Sequence, residues 1–416
     1  MHRFFQELKR RVVGMAQFFR RQKLRDVLRR LLEALRKLVG KLRKEKTSTS
    51  TVRDAFSRMS EAAKAPLPPS DIVVMPSRDT EASPLKVARG KAPQPLSDDH
   101  GKFVSGVFTH ATETRRYMLF DPLLFTPTHR DARRMPLVVM LHGCKQDAED
   151  FATGTGMNIL AREQGLHVLY PEQSHGANPY RCWNWFNHNH QYRDHGEPAL
   201  IAAMTRAMIE QHDVDAERVY IAGLSAGAAM AVIVAATYPE IFSAVGVHSG
   251  LARGAAGNAL EAMTVMKNGM SGDSLPRDQS SVGFTSAVAA ARARIAVPTI
   301  VFHGDADTTV HPRNGEQVLA AALAAIDDKA SNDEPGATEA RPARVDQGES
   351  ASGQRYTRAV HHDAAGNVIA EHWVLHGAGH AWAGGHADGS FTDAKGPDAS
   401  REMLRFFLQQ RRRGAS

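Results

Sequence analysis

Short, continuous apolar runs recur through the middle of the chain: Pro136–Leu141, Leu166–Tyr170, Arg218–Ala222, Phe242–Val247 and Pro298–Phe302. The stretches between them are long enough for crossover helices. Strands that are apolar at every position, rather than at every second one, belong to a parallel sheet covered on both faces. Tyr356–Leu375 has Ala365-Gly366-Asn367 at its centre and reads as a hairpin that adds the last strands. A closing helix is expected over Ser400–Arg411, amphipathic through Met403, Leu404, Phe407 and Leu408.

The flanking regions have other patterns. Over residues 1–46, Leu24, Leu28, Leu31, Leu35, Leu38 and Leu42 alternate steps of four and three, the stripe of a basic amphipathic helix. Residues 47–100 are rich in Ser, Thr, Pro and Ala without periodicity and read as a flexible linker. Residues 101–416 carry the core of a single domain. Within it, residues 327–354, made largely of Asp, Ser, Glu, Gly, Pro and Ala, read as a disordered surface insertion.

Charge sharpens this division. The net +7 of the 416-residue chain resides in residues 1–46, which hold 16 Lys and Arg against 4 acids. The remainder holds 36 bases against 41 acids, so the domain gives no signal for a nucleic-acid partner. The stripe of leucines fits a coiled-coil seam, but the residues flanking it are mostly basic and would repel across a parallel pair. The expectation is a helix lying on an anionic, apolar surface, either a polymer granule or a membrane, with Phe4, Phe5, Phe18 and Phe19 immersed.

Cys144 and Cys182 are the only cysteines, which excludes a disulfide-framework scaffold and a four-cysteine zinc site. No metal or other cofactor is expected: His188-Asn-His190 and His361-His362 lack metal-ligand spacing on a helix and read as solvated loop residues. No apolar run approaches the roughly 20 residues of a bilayer span. Val12–Phe19 is too short for a signal-peptide core and ends at Arg20-Arg21, so a cytoplasmic or granule- or membrane-surface location is expected.

The chemistry is carried by Gly223-Leu224-Ser225-Ala226-Gly227, which follows the apolar run ending at Ala222 and opens a small-residue helix, Ala228–Ala236. Strand, tight turn and helix are the setting of the nucleophile elbow of an α/β-hydrolase fold, in which the turn exposes the serine. A serine hydroxyl needs a histidine to remove its proton, and in this fold acid and histidine follow the serine in the chain. Asp307 lies in the loop His303-Gly304-Asp305-Ala306-Asp307 after an expected strand. His380 lies in Gly379-His380-Ala381-Trp382 after the hairpin. Asp307 is deeper in its loop and is the expected acid, whereas Asp305 is expected to shape the turn through side-chain hydrogen bonds. The oxyanion donors should be the backbone amides of Ala226 and, from the loop His142-Gly143-Cys144, of Cys144. Trp183, Trp185 and Trp382 could line an acyl pocket.

Taken together and in order, Leu141-His-Gly-Cys144, Cys182-Trp-Asn-Trp-Phe186, Gly223-Leu-Ser-Ala-Gly227, His303-Gly-Asp-Ala-Asp307 and Gly379-His-Ala-Trp382 resemble the esterase family of poly(3-hydroxybutyrate) depolymerases, which includes feruloyl and acetylxylan esterases. The resemblance covers roughly residues 101–410. It implies a triad of Ser225, Asp307 and His380, an oxyanion amide from Cys144, and a disulfide between Cys144 and Cys182. It also implies an extracellular location, at odds with the missing signal. The function expected is hydrolysis of hydroxyalkanoate polymer or oligomer esters through an acyl-enzyme. Feruloyl or acetylxylan ester cleavage is the enzymatic alternative, and an inactive hydrolase fold acting as a surface adaptor the non-enzymatic one.

Overall fold

A computed structural model describes residues 101–122, 134–270, 295–333, 344–363 and 365–412, with side chains described to residue 324 in the third stretch. The helix expected over 1–46 and the linker expected over 47–100 lie outside the described residues.

Among the described residues, ten strands form one sheet. They are β1 (Lys102–His110), β2 (Glu113–Asp121), β3 (Met135–Leu141), β4 (His167–Pro171), β5 (Val214–Leu224), β6 (Ala244–His248), β7 (Thr299–Gly304), β8 (Arg344–Glu349), β9 (Arg355–His362) and β10 (Val368–Leu375). Their order is β1-β2-β4-β3-β5-β6-β7-β10-β9-β8. The six from β4 to β10 are mutually parallel, and the hairpin strands at both edges run antiparallel. This is the α/β-hydrolase arrangement, a mostly parallel sheet with helices on both faces.

Both faces are apolar for a reason visible in β3. Leu137, Val139 and Leu141 point into one core cluster while Val138 and Met140 point into the other, all fully buried. Two helices, α1 (Ala148–Thr155) and α2 (Met157–Gln164), pack in the second cluster through Phe151, Ala152, Met157 and Leu160. The first is covered by α3 (Gly196–Gln211) and α4 (Ala226–Thr237). Two more helices are α5 (Ala259–Asn268) and α6 (Arg313–Asp333), of which α6 lies over β7 and β10. The closing helix, α7 (Ala399–Leu408), buries Met403, Leu404, Phe406 and Phe407 in the second cluster. Because α4 is enclosed on nearly every side, its sequence Ala-Gly-Ala-Ala-Met-Ala is small rather than amphipathic.

The insertion expected to be unstructured over 327–354 is corrected in its described parts. Residues 327–333 continue α6, and Arg344–Glu349 forms the edge strand β8, paired with β9 from Arg344↔Val360 to Glu349↔Arg355. An edge strand is held by backbone hydrogen bonds along one side only, so it tolerates the polar composition that reads as a loop. His361 and His362 are likewise half-buried at the end of β9, not in a loop. The hairpin of β1 and β2 has no counterpart in the expected elements.

Candidate active site

The parallel strands all point their C-terminal ends toward one edge of the sheet, which is where this class of sheet places its functional loops. Ser225 follows β5, the segment 305–307 follows β7, and the segment 376–380 follows β10. In the sheet order these strands lie in the sequence β5-β6-β7-β10.

The turn at Ser225 is strained. Its backbone sits at φ 56°, ψ −119°, outside the conformations that a side chain favours. A Cβ at Gly223 would lie 2.5 Å from the Gly227 carbonyl carbon, and one at Gly227 would lie 2.1 Å from the Leu141 oxygen. The two glycines are therefore required by close approach. They press the turn against the end of β3, and the loop expected to supply an oxyanion donor begins one residue further on. The Ser225 N–H donates to the His248 carbonyl at 2.9 Å.

Asp307 and His380 meet, with His380 Nδ1 2.7 Å from Asp307 Oδ2. A carboxylate only accepts, so Nδ1 carries the proton and Nε2 is left free to act as a base. The other carboxylate oxygen, Oδ1, accepts the amides of Thr309 (2.9 Å) and Val310 (2.8 Å). Burial alone would raise the Asp307 pKa. Hydrogen bonds from His303, His380 and the Val310 amide, with the nearby charge of His380, hold it far below the usual carboxylate range. Asp305 does not reach His380. It binds His376 Nδ1 at 2.9 Å and the Gly377 amide at 2.6 Å.

In the turn 143–146, three of the four amides are already taken. Gly143 N–H goes to Gln146 Oε1 (2.9 Å), Lys145 N–H to the Tyr180 carbonyl (2.7 Å), and Gln146 N–H to the Gly143 carbonyl (3.3 Å). Among the described residues the Cys144 amide has no such partner, and the Ala226 amide opens α4, where helix geometry provides no acceptor. Cys144 is joined by a disulfide to Cys182, with the α-carbons 4.2 Å apart. The loop bearing Cys182 is anchored by the buried Glu197, whose carboxylate accepts Asn184 N–H and Nδ2 (both 2.7 Å) and Gln173 Nε2 (2.5 Å). Burial would raise the pKa of Glu197, but bonds from His190, Gln173 and Asn184 keep it lowered.

The tryptophans expected to line an acyl pocket are core residues instead. Trp183, Trp185 and Trp382 are 0%, 4% and 1% exposed. Trp382 donates Nε1 to Ser400 Oγ at 3.0 Å and stacks on His248 with centroids 5.1 Å apart. The Trp382 ring N–H thus has an internal partner, as buried tryptophans usually do, whereas Trp183 Nε1 is buried without one among the described residues.

Three residues to which the sequence assigns no role hold the site. His248 takes the Ser225 amide on its carbonyl and the Ala383 amide on Nε2 (3.0 Å), so it ties the serine turn to the segment after His380. His142 accepts the Gln173 amide on Nε2 (3.0 Å) and bonds the Gly143 carbonyl through Nδ1 (2.8 Å). Gln146 fixes Gly143 and donates to the Ser390 carbonyl (2.9 Å). His142 and Gln146 lie in or just after the Leu141–Cys144 motif, but nothing in their spacing distinguishes them from ordinary polar residues. Among the described residues no group of three or more His, Cys, Asp or Glu is placed to hold a metal ion.

Known proteins similar in sequence to this chain are esterases. Poly(3-hydroxyalkanoate) depolymerase C of Paucimonas lemoignei is 34% identical over 184 residues, 44% of this chain and 43% of that enzyme. Feruloyl esterase B of Thermothelomyces thermophilus is 31% identical over 198 residues, 47% of this chain and 67% of that one. Acetylxylan esterase A of Talaromyces purpureogenus is 30% identical over 188 residues, 43% of this chain and 46% of that one. The chain thus spans under half the length of the depolymerase. The family model described as "Esterase PHB depolymerase" matches residues 121–344, a stretch that includes Ser225 and Asp307. The chain belongs to the esterase family of PHB depolymerases.

Proposed function

We propose that the protein is a serine carboxylic-ester hydrolase that works through an acyl-enzyme. Ser225 Oγ attacks the ester carbonyl carbon while His380 Nε2 takes its proton. The negative charge that develops on the carbonyl oxygen is met by the amides of Cys144 and Ala226. His380 then returns the proton to the departing alcohol, leaving the acyl group on Ser225. Water, deprotonated by the same nitrogen, releases the acid and restores the serine. Asp307 keeps the imidazole in the Nδ1–H tautomer and stabilises the imidazolium that forms at each step. The observation that carries this reading is the 2.7 Å bond between Asp307 and His380, from loops beside the strained Ser225 turn.

For the substrate we favour esters of 3-hydroxyalkanoates, as polymer or oligomers, in keeping with the depolymerase relative. Feruloyl or acetylated polysaccharide esters are the second reading, supported by relatives of 30–31% identity. Hydroxybutyrate oligomers, feruloyl esters and p-nitrophenyl acetate, compared by kcat/KM on one preparation, discriminate the two. Ser225→Ala should keep the fold and lower kcat by about 10³–10⁶. Unchanged turnover would remove Ser225 from the mechanism, and no ester hydrolysis by the intact protein would favour a surface adaptor. From its sequence, residues 1–46 are proposed to hold the enzyme on a granule or anionic membrane surface.

A further inference from the structure

We propose that Asp305 is a positioning residue for His380, acting through His376 and Gly377; the inference rests on the reading of His380 as the base. Two Asp–His pairs span the same two segments. Asp307 is buried and His380 is half-buried. Asp305 with His376 lies beside them and is open to solvent, at 42% and 36% side-chain exposure. The segment 376–380 leaves β10 and must deliver His380 to Asp307. Of its five residues two are glycines, Gly377 and Gly379, and no atom lies within 4 Å of where a Cβ on either would sit. Packing anchors the segment only at its middle, where Ala378 is buried in the core, and Gly377 before it occupies the left-handed region at φ 76°.

Hydrogen bonds fix the residues that lead to Ala378. Asp305 accepts the Gly377 amide on Oδ1 and meets His376 Nδ1 with Oδ2. The main chain adds Asp305 N–H to the Leu375 carbonyl and Ala306 N–H to the Ala378 carbonyl, both 3.1 Å. On its other side His376 Nε2 lies 2.8 Å from Thr357 Oγ1, which links β9 to the same assembly. Ion pairs this exposed contribute little to global stability. Their effect falls instead on the position of His380, where a small displacement costs much of the rate.

Three variants of the full chain separate positioning from stability. Asp305→Ala should lower kcat on p-nitrophenyl acetate about ten- to a hundredfold, with KM little changed. The downfield proton resonance of His380 Nδ1–H should broaden or shift at the same time. Asp305→Asn should restore both, because its amide oxygen still accepts the Gly377 N–H and its amide N–H can donate to a neutral His376. His376→Ala, which leaves the Gly377 bond in place, should fall between them. Wild-type kcat and an unaltered resonance in Asp305→Ala would overturn the proposal, as would equal losses in Ala and Asn. If the wild-type protein hydrolyses no ester, the proposed function fails, and the resonance still reports whether Asp305 sets the geometry of His380.

Discussion

Gln146 Oε1 accepts the Gly143 amide at 2.9 Å, and this single bond removes from the turn the donor that would otherwise compete with Cys144. The same side chain reaches Ser390 at 2.9 Å, and the Ser390 amide binds Asp150 Oδ1 at 2.8 Å. A glutamine in the oxyanion turn is thus anchored to the segment that follows His380. Gln146→Met fills similar volume but abolishes both bonds. We expect kcat on a soluble aryl ester to fall about tenfold or more, short of the roughly 10²–10³ lost when an oxyanion donor is itself removed. Retention of full kcat would show that the turn holds itself.

The two aspartates of the β7 loop should respond differently. Asp307→Asn removes the acceptor that selects the His380 tautomer, and kcat should drop about 10⁴-fold as for the equivalent change in other serine triads. Asp305→Asn should lie within a few fold of wild type. Steady-state kinetics of the pair decides the assignment, and the reverse ranking would exchange their roles.

Acid should destabilise the protein through buried histidines. Burial pushes His142 down from 6.5 to about 4 and His248 down from 6.5 to about 3. Between pH 6.5 and these values the unfolded chain binds protons that the folded one refuses, so stability rises with pH. It is complete above 6.5 and declines as pH falls toward 4 and then 3. Urea midpoints measured from pH 7.5 to 4.5 should fall mainly below 6.5. A flat or rising midpoint on acidification would contradict the neutral, hydrogen-bonded state of both rings.

Cys144 and Cys182 close a loop of 38 residues. Replacing both with alanine relaxes the unfolded chain and should cost about 3–4 kcal/mol in the chain-entropy model. Chemical denaturation with and without reductant measures it. A loss below about 1 kcal/mol would mean that the Glu197 network alone holds the loop.

Deleting residues 1–46 tests the proposed surface role. Sedimentation with anionic vesicles or polymer granules should fall steeply, most of all at low salt where basic side chains act at longest range. Turnover of a soluble ester should remain within a few fold. A truncated enzyme that still sediments and changes only its oligomeric state would favour the coiled-coil alternative.

How much of this was legible depends on the kind of signal. The runs at 136–141, 166–170, 218–222 and 298–302 are buried on both faces, so continuous hydrophobicity marked β3, β4, β5 and β7 directly. The turn at Asn367 likewise announced β9 and β10. The β1–β2 hairpin escaped because its turn contains Ala111 at φ 51°, a conformation usually signalled by Gly or Asn. Polar β8 escaped because its pairing uses only the backbone.

The sequence by itself determined the serine turn and the order of serine, acid and histidine, since both follow from local backbone geometry and chain order. Depth in the loop favoured Asp307 over Asp305, but only the tertiary structure shows which of the two meets His380. Both are acidic, both lie in one loop, and the choice depends on which carboxylate faces a histidine 73 residues away. The tertiary structure also moved Trp183, Trp185 and Trp382 from the substrate to the core. It gave His142, Gln146 and His248 their places as well. Their partners are up to 244 residues distant, and no local pattern encodes a hydrogen bond between segments that meet only after the sheet has formed.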